Sequence, residues 1–372
     1  MRVLHVHSGN VFGGIERMMQ ALAPASAGTV PVHSDFALCF EGIVSDTLSA
    51  CGAQVYQLGA VRARRLDEVR RARRVLRGLF AEQRWDLAIV HSAWSQAIFG
   101  PAVLKSGTPL VRWLHAPQPG PLWLETWAGR AQPALVLCNS RYTMENGGAR
   151  FGAGPLAVQY PPLPTAAMTR PRRTVRAELG SDPNVVVVIL ASRLEAGKGH
   201  AVFLDALSKI DSPRWEAWIA GGVQHPAERS YLDDLRKQAA AAGISGRVRF
   251  LGQRADVPDL LAAADIYCQP NAAPDSFGLS FVEALAAGLP VVTTRLGAAS
   301  EIVDDSCGVL VDPGAIDTLA EVLGALIEAD DERGRMSAAA RSRSREFSDL
   351  AESTARLAAQ LARATARTLA LT

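Results

Sequence analysis

Short runs of β-prone, apolar residues alternate with longer stretches in which apolar positions recur every three or four residues, and this alternation runs the length of the chain. In the first half it predicts strands near 2–7, 32–39, 53–57, 86–91, 109–114 and 133–138, with helices between them. The series stops at Tyr160-Pro-Pro-Leu-Pro, and a stretch rich in proline and polar residues continues to about Arg173. A second series follows, with strands expected near 185–191, 215–220, 247–251, 265–269, 290–294 and 308–311. Val185-Val-Val-Val-Ile-Leu190 is apolar at every position, as expected of a strand buried on both faces of a parallel sheet. The pattern predicts an α/β chain of two Rossmann-like, doubly wound domains, at 1–160 and 176–348, joined by a linker at 161–175. A last helix within 349–372, apolar at Leu350, Leu357 and Leu361, either packs back on the first domain or caps the second. Open sheets of this kind bind ligands beyond the carboxyl ends of their strands, so the site is expected in a central cleft between the two domains.

Composition narrows the class. The 372 residues are 48% hydrophobic and 20% charged, as in a water-soluble globular protein. No apolar run approaches the roughly 20 residues needed to cross a bilayer, and Met1-Arg-Val-Leu-His-Val-His reads as a buried strand and not as a signal peptide. Five widely spaced cysteines without metal spacing suggest reduced core thiols and a cytoplasmic chain. The net charge of +2 hides an asymmetry: 17 basic against 10 acidic residues in 1–170, then 22 against 27 in the remainder. The two halves are therefore expected to meet different partners. No basic stretch carries interleaved aromatics, so nucleic acid is not expected among them.

Three segments carry candidate chemistry. Ser8-Gly-Asn-Val-Phe-Gly-Gly-Ile-Glu16 joins the first strand to the first helix, where Gly13 and Gly14 allow close approach of a phosphate to backbone N–H groups. The spacing is not that of a dinucleotide fingerprint, and an ordinary tight turn explains it equally well. Ala191-Ser-Arg-Leu-Glu-Ala-Gly-Lys-Gly-His200 follows a strand end. Its Arg193 and Lys198 can neutralise a diphosphate leaving group, against the simpler reading of two solvated cations. The third and strongest runs from Asn271 to Val292: a Gly-bearing loop, a helix from about Leu279, and a stop at Gly288 and Pro290. There the N–H groups of Gly278, Leu279 and Ser280 suit phosphate oxygens, and Glu283 suits the hydroxyls of a ribose. Asp275 in the loop is either a ligand or a helix N-terminal acid.

Together these segments resemble the retaining GT-B glycosyltransferases, specifically glycosyltransferase family four, the glycosyl transferases group 1. That family carries R-x4-K after a strand and E-x7-E around a later helix; here they read Arg193–Lys198 and Asp275–Glu283. Phe277-Gly-Leu, Glu283-Ala-Leu-Ala-Ala-Gly-Leu-Pro-Val-Val, Leu296-Gly-Ala-Ala-Ser-Glu-Ile-Val303, Gly308-Val-Leu-Val-Asp-Pro313 and Gly13-Gly-Ile-Glu16 agree with it. The resemblance implies transfer of a hexose-type sugar from a nucleotide diphosphate, UDP or GDP, to a hydroxyl of a glycan, glycolipid or small molecule. It implies retention of configuration without a metal or other cofactor. Gly13 and Gly14 would contact the diphosphate, Arg193 and Lys198 hold it, Phe277, Gly278 and Leu279 line the donor, and Glu283 bind the ribose. The family's first acid touches the transferred sugar; Asp275 is one methylene shorter. His115 falls where the family places a histidine beside the donor sugar, though the usual following aspartate is Ala116.

The acceptor side is diffuse. Five of seven tryptophans fall between 85 and 127, and Trp94, Trp113 and Trp123 are candidates to stack on a sugar or line a lipid path, although most tryptophans are core. Eight arginines lie within Arg62–Arg77, either the solvated face of a crossover helix or a surface for anionic lipid; the second keeps open a peripheral place on the inner face of a membrane. Two other classes stay open: a nucleotide-sugar epimerase or hydrolase, and a non-catalytic sugar-nucleotide binder. A nicotinamide dehydrogenase, for which Asp35 would be the ribose acid, is least favoured.

Overall fold

A computed structural model of the chain describes residues 1–9, 14–23, 31–117, 122–148, 154–163 and 168–369. Its contacts divide the chain into two units, Met1–Pro164 with Asp349–Thr372, and Thr165–Ser348.

The first unit holds a seven-stranded parallel sheet among the described residues: β1 (Arg2–His7), β2 (His33–Leu38), β3 (Val55–Gln57), β4 (Leu87–Val90), β5 (Leu110–Leu114), β6 (Leu135–Cys138) and β7 (Leu156–Val158), in the order β3-β2-β1-β4-β5-β6-β7. β7 has no counterpart among the expected strands: three residues between Pro155 and Gln159 are too short to show a period. Along β1 the side chains alternate between the two faces of the sheet. Val3 packs with Phe36, Ile89 and Trp113, whereas Leu4 and Val6 pack with Leu76, Phe99 and Val90. The C-terminal helix Leu350–Leu369 places Leu357 and Leu361, both fully buried, in the first of these cores, and Gln360 Nε2 donates to the Val158 carbonyl at 2.9 Å.

The second unit holds a six-stranded parallel sheet: β8 (Val186–Ala191), β9 (Trp215–Ala220), β10 (Val248–Gly252), β11 (Ile266–Gln269), β12 (Val291–Thr294) and β13 (Gly308–Val311), in the order β10-β9-β8-β11-β12-β13. Leu190, Phe203, Trp215, Ile219 and Leu323 centre its core. The helix Arg172–Glu178 begins inside the stretch expected to be a linker. Just before it, the carboxylate of Asp259 accepts from the backbone N–H groups of Thr169, at 2.7 Å, and Arg170, at 3.1 Å. The five cysteines are all free, and four are buried.

Both sheets are doubly wound, with strand order reversing between β1 and β4 in one and between β8 and β11 in the other. At such a switch point the connections leave in opposite directions and open a crevice at the strands' carboxyl ends. His7, His91 and His115 stand at or just past the ends of β1, β4 and β5, and Arg193 and Asn271 just past β8 and β11.

Candidate active site

In the second unit, the two cation- and acid-bearing segments interlock at the switch point. The turn Ala196–Lys198 lies against the loop after β11: the carbonyl of Gly197 accepts from the N–H groups of Ala272, at 2.9 Å, and Ala273, at 3.1 Å. Gly199 adopts φ 79°, and a Cβ there would stand 1.8 Å from the Pro270 carbonyl oxygen. Only glycine fits so close a backbone approach. On the other side, Gly297 at φ 63° comes so near that a Cβ would lie 2.1 Å from the Asp275 carbonyl oxygen.

These clamps bring Lys198 and Asp275 together. The ammonium lies 2.5 Å from Asp275 Oδ1, and both side chains are only 19% exposed. Asp275 Oδ2 accepts from Asn271 Nδ2 at 2.9 Å and Gln269 Nε2 at 3.3 Å. Gln269 Oε1 accepts in turn from the Tyr267 hydroxyl at 2.7 Å and from Ser280 Oγ, in the first turn of the helix Leu279–Ala287, at 3.2 Å. A buried polar chain therefore runs from Tyr267 through Gln269 and Asn271 to Asp275. None of its first three members stood out in the sequence reading. Their signal was a period of two: Tyr267, Gln269 and Asn271 present polar atoms on alternate positions of an otherwise apolar strand end. Burial raises the Tyr267 hydroxyl's pKa, and the nearby charges of Glu283 and Asp275 add to it, so the phenol stays a neutral donor.

Other expected donor residues are placed as follows. Arg193 is exposed and paired with Glu195 at 2.6 Å, a contact well screened by water. Glu283 is half-buried on the helix Leu279–Ala287, whose first N–H groups follow Gly278 at φ 97°. The Phe277 ring, 3% exposed, packs edge-on against Phe347 and anchors the loop before the helix.

In the first unit, Gly14 opens the helix Gly14–Ala21, and Glu16 Oε1 lies 2.7 Å from His7 Nε2; Gly13 falls outside the described residues. His115 is half-buried, with Nε2 3.0 Å from His91 Nδ1. Burial, then the charges of His7, Arg112 and His5, push its pKa down to about 3, so the ring is neutral near pH 7. Trp113 is fully buried and stacks on His91 and His115, which removes it from the acceptor-side candidates: as a residue of the interior strand β5 it faces the core. Trp94 is half-buried against Phe99, while Trp123 is 47% exposed beside Leu122 at 83%. The arginine-rich segment forms the helix Leu66–Glu82, which buries Val69, Ala72 and Leu76. Its Arg73 donates to the Ala97 carbonyl at 2.9 Å and lies over the Trp127 ring. Asp35 is buried and accepts from Arg2 Nε at 2.8 Å and Trp85 Nε1 at 2.7 Å, so it anchors the sheet's amino edge and cannot serve a cofactor ribose.

Residues 171–343, nearly all of the second unit, match the family model described as glycosyl transferases group 1. That second unit belongs to the glycosyl transferases group 1 family. The fold agrees with this membership. The solved structure of Anabaena HepE in complex with UDP and glucose superposes with a TM-score of 0.84 at 25% identity, covering 98% of this chain and all of that one. A glycosyltransferase from Rickettsia africae superposes at 0.86 with 17% identity over 98% of both chains. The two Rossmann-like units thus form a GT-B fold. Among relatives in sequence, a D-inositol 3-phosphate glycosyltransferase of Xylanimonas cellulosilytica is 31% identical over 285 residues, covering 73% of this chain. The lipopolysaccharide core mannosyltransferase LpsB of Rhizobium meliloti is 32% identical over 166 residues. The chain spans 65% of the first relative's length and 46% of the second's. Among the described residues no helix is long and apolar enough to cross a membrane, and no group of three or more His, Cys, Asp or Glu is placed to hold a metal ion.

Proposed function

We propose that this family member transfers a hexose-type sugar from a nucleotide diphosphate, UDP or GDP, to a hydroxyl of a glycan, glycolipid or small-molecule acceptor, with retention and without a metal. The observation that carries the reading is the interlock of residues 196–199 with 270–275. It brings the Lys198 ammonium to Asp275, three residues before the helix N-terminus at Gly278. An ammonium and oriented N–H groups at one strand end make a place for a diphosphate, and both would stabilise the charge that develops as it leaves. Arg193, exposed and paired with Glu195 through a contact screened by water, supplies a second cation. Glu283 is read as the ribose ligand. No enzyme nucleophile is assigned: the departing phosphate takes the acceptor hydroxyl's proton on the face where the new bond forms. In the first unit, exposed Leu122 and Trp123 favour an acceptor with an apolar or ring face.

Donor turnover by the purified chain tests this, with UDP- and GDP-sugars, with and without chelator, and beside Glu283→Gln and Lys198→Ala. Each substitution removes one charge-assisted contact, worth about 1.5–3 kcal/mol, and is expected to abolish most transfer in a folded protein. Full activity of both variants, or strict dependence on added magnesium or manganese, refutes the assignment.

A further inference from the structure

Behind His115 lie two more imidazoles that the donor reading does not use. His91 Nδ1 lies 3.0 Å from His115 Nε2, and His91 Nε2 lies 2.9 Å from His5 Nδ1. The three rings are nearly parallel, with interplanar angles of 22° and 12°. Phe36 stacks on His5, and Trp113 on both His91 and His115. His5 and His91 are buried, and His5 Nε2 has no hydrogen-bond partner among the described residues.

Counting protons restricts what this chain of rings can be. Each N···N contact needs one proton, and a neutral imidazole carries one. If His91 is protonated on Nδ1, it donates to His115 and must accept from His5, so all three rings are Nδ1–H. If it is protonated on Nε2, all three are Nε2–H. The rings therefore share one tautomer. The Nε2–H arrangement strands a buried N–H on His5, whereas the Nδ1–H arrangement leaves only a bare lone pair there. An orphaned buried N–H is the rarer of the two in folded proteins. That outweighs the small preference of an isolated imidazole for Nε2–H.

We propose that His91 and His5 are positioning residues that hold His115 neutral with its proton on Nδ1, so that His115 offers the donor sugar a hydrogen-bond donor and does not act as a general base. This rests on the reading of His115 as a donor-side residue. The titratable and charged groups around the chain are His7 from β1, edge-on to His91 and bonded to Glu16, and Arg112 from β5, paired with Glu125. Burial keeps all three rings neutral: His5, like His115, is pushed down to about 3 and His91 well below the ordinary value.

Ring-nitrogen NMR of histidine-labelled protein reads the tautomers without any substitution. Three neutral Nδ1–H rings between about pH 5.5 and 8 are expected for His5, His91 and His115; three Nε2–H rings, a mixture, or a cationic ring among them overturns the proposal. His91→Phe keeps an aromatic ring in the stack and cuts both N···N contacts. In it His115 loses the N–H that fixes its Nε2 as an acceptor, so its proton should move from Nδ1 to Nε2 while the ring, still buried, stays neutral. The KM for an intact nucleotide sugar, whose diphosphate does not titrate in this range, should then rise about tenfold between about pH 5.5 and 8. A folded His91→Phe protein with unchanged His115 nitrogens and an unchanged KM overturns the positioning role. Wild-type protein that binds no nucleotide sugar sinks the donor reading instead, while its nitrogen spectra still decide the tautomers.

Discussion

Asp275→Asn tests the proposed donor site most directly, because that proposal gives Asp275 two roles that pull ligand affinity in opposite directions. In the structure its carboxylate neutralises Lys198 at 2.5 Å, and its other oxygen is held by Asn271 and Gln269. A diphosphate arriving at Lys198 must displace that carboxylate, and it then sits beside a like charge. Two unit charges roughly 6 Å apart at an effective dielectric of about 20 repel by about 2–3 kcal/mol. Since both side chains are 19% exposed, solvent screening reduces this to about 1–2 kcal/mol. The amide keeps the side chain's shape and removes the charge, so free UDP or GDP should bind about 5–30-fold more tightly. The intact sugar nucleotide behaves differently. Once Lys198 passes to the diphosphate, Asp275 Oδ1 is released to accept a hydroxyl of the transferred sugar. Losing that charged acceptor costs about 1.5–3 kcal/mol and cancels or outweighs the gain. Calorimetric titration of wild type and Asp275→Asn with both ligands reads the ratio of the two affinities, which should fall by tenfold or more against the sugar nucleotide. If both ligands shift together in either direction, Asp275 is only a structural partner of Lys198 and the exchange does not occur.

Further outcomes follow from particular contacts. Gly199→Ala places a methyl 1.8 Å from the Pro270 carbonyl, which forces the turn away from the loop after β11; nucleoside diphosphate affinity should drop at least tenfold even where circular dichroism stays native. His5 and His115 are held near 3, and His200 near 4, by burial. Below the unfolded value of about 6.5 the unfolded chain binds more protons than the folded one. Stability is thus fully present above that pH and is lost as pH falls from 6.5 toward 3, by up to about 1.4 kcal/mol per unit for each ring; denaturant midpoints across pH 4–8 check this, and a flat profile between 4 and 6.5 refutes it. Leu361→Ala in the C-terminal helix should cost about 2–5 kcal/mol, as does truncation of other fully buried leucines, and calorimetry should lower the melting of the first unit while leaving the second unchanged.

The sequence alone determined the architecture and picked out the candidate donor residues, because both rest on local signals. Parallel strands buried on two faces are apolar along their whole length, so Val186–Ala191 and Leu87–Val90 declare themselves without knowledge of their neighbours. Glycines at Gly278 and Gly288 bracket a helix through backbone freedom that belongs to the residue itself, and the spacing of Arg193, Lys198, Asp275 and Glu283 is a property of the string. What remained to the tertiary structure were relations between residues far apart in the chain. That Trp113 is core while Trp123 is exposed depends on which helix covers which strand, and composition does not carry that. Where the last helix docks was undecided because Leu357 and Leu361 match any apolar groove equally well. The pairing of Lys198 with Asp275 spans 77 positions, and the chain of His5, His91 and His115 joins the interior of β1 to the ends of β4 and β5. Each of those histidines looks like an isolated polar residue in sequence. Only the order of the strands, with β1 between β2 and β4 and β4 beside β5, lays their rings edge to edge.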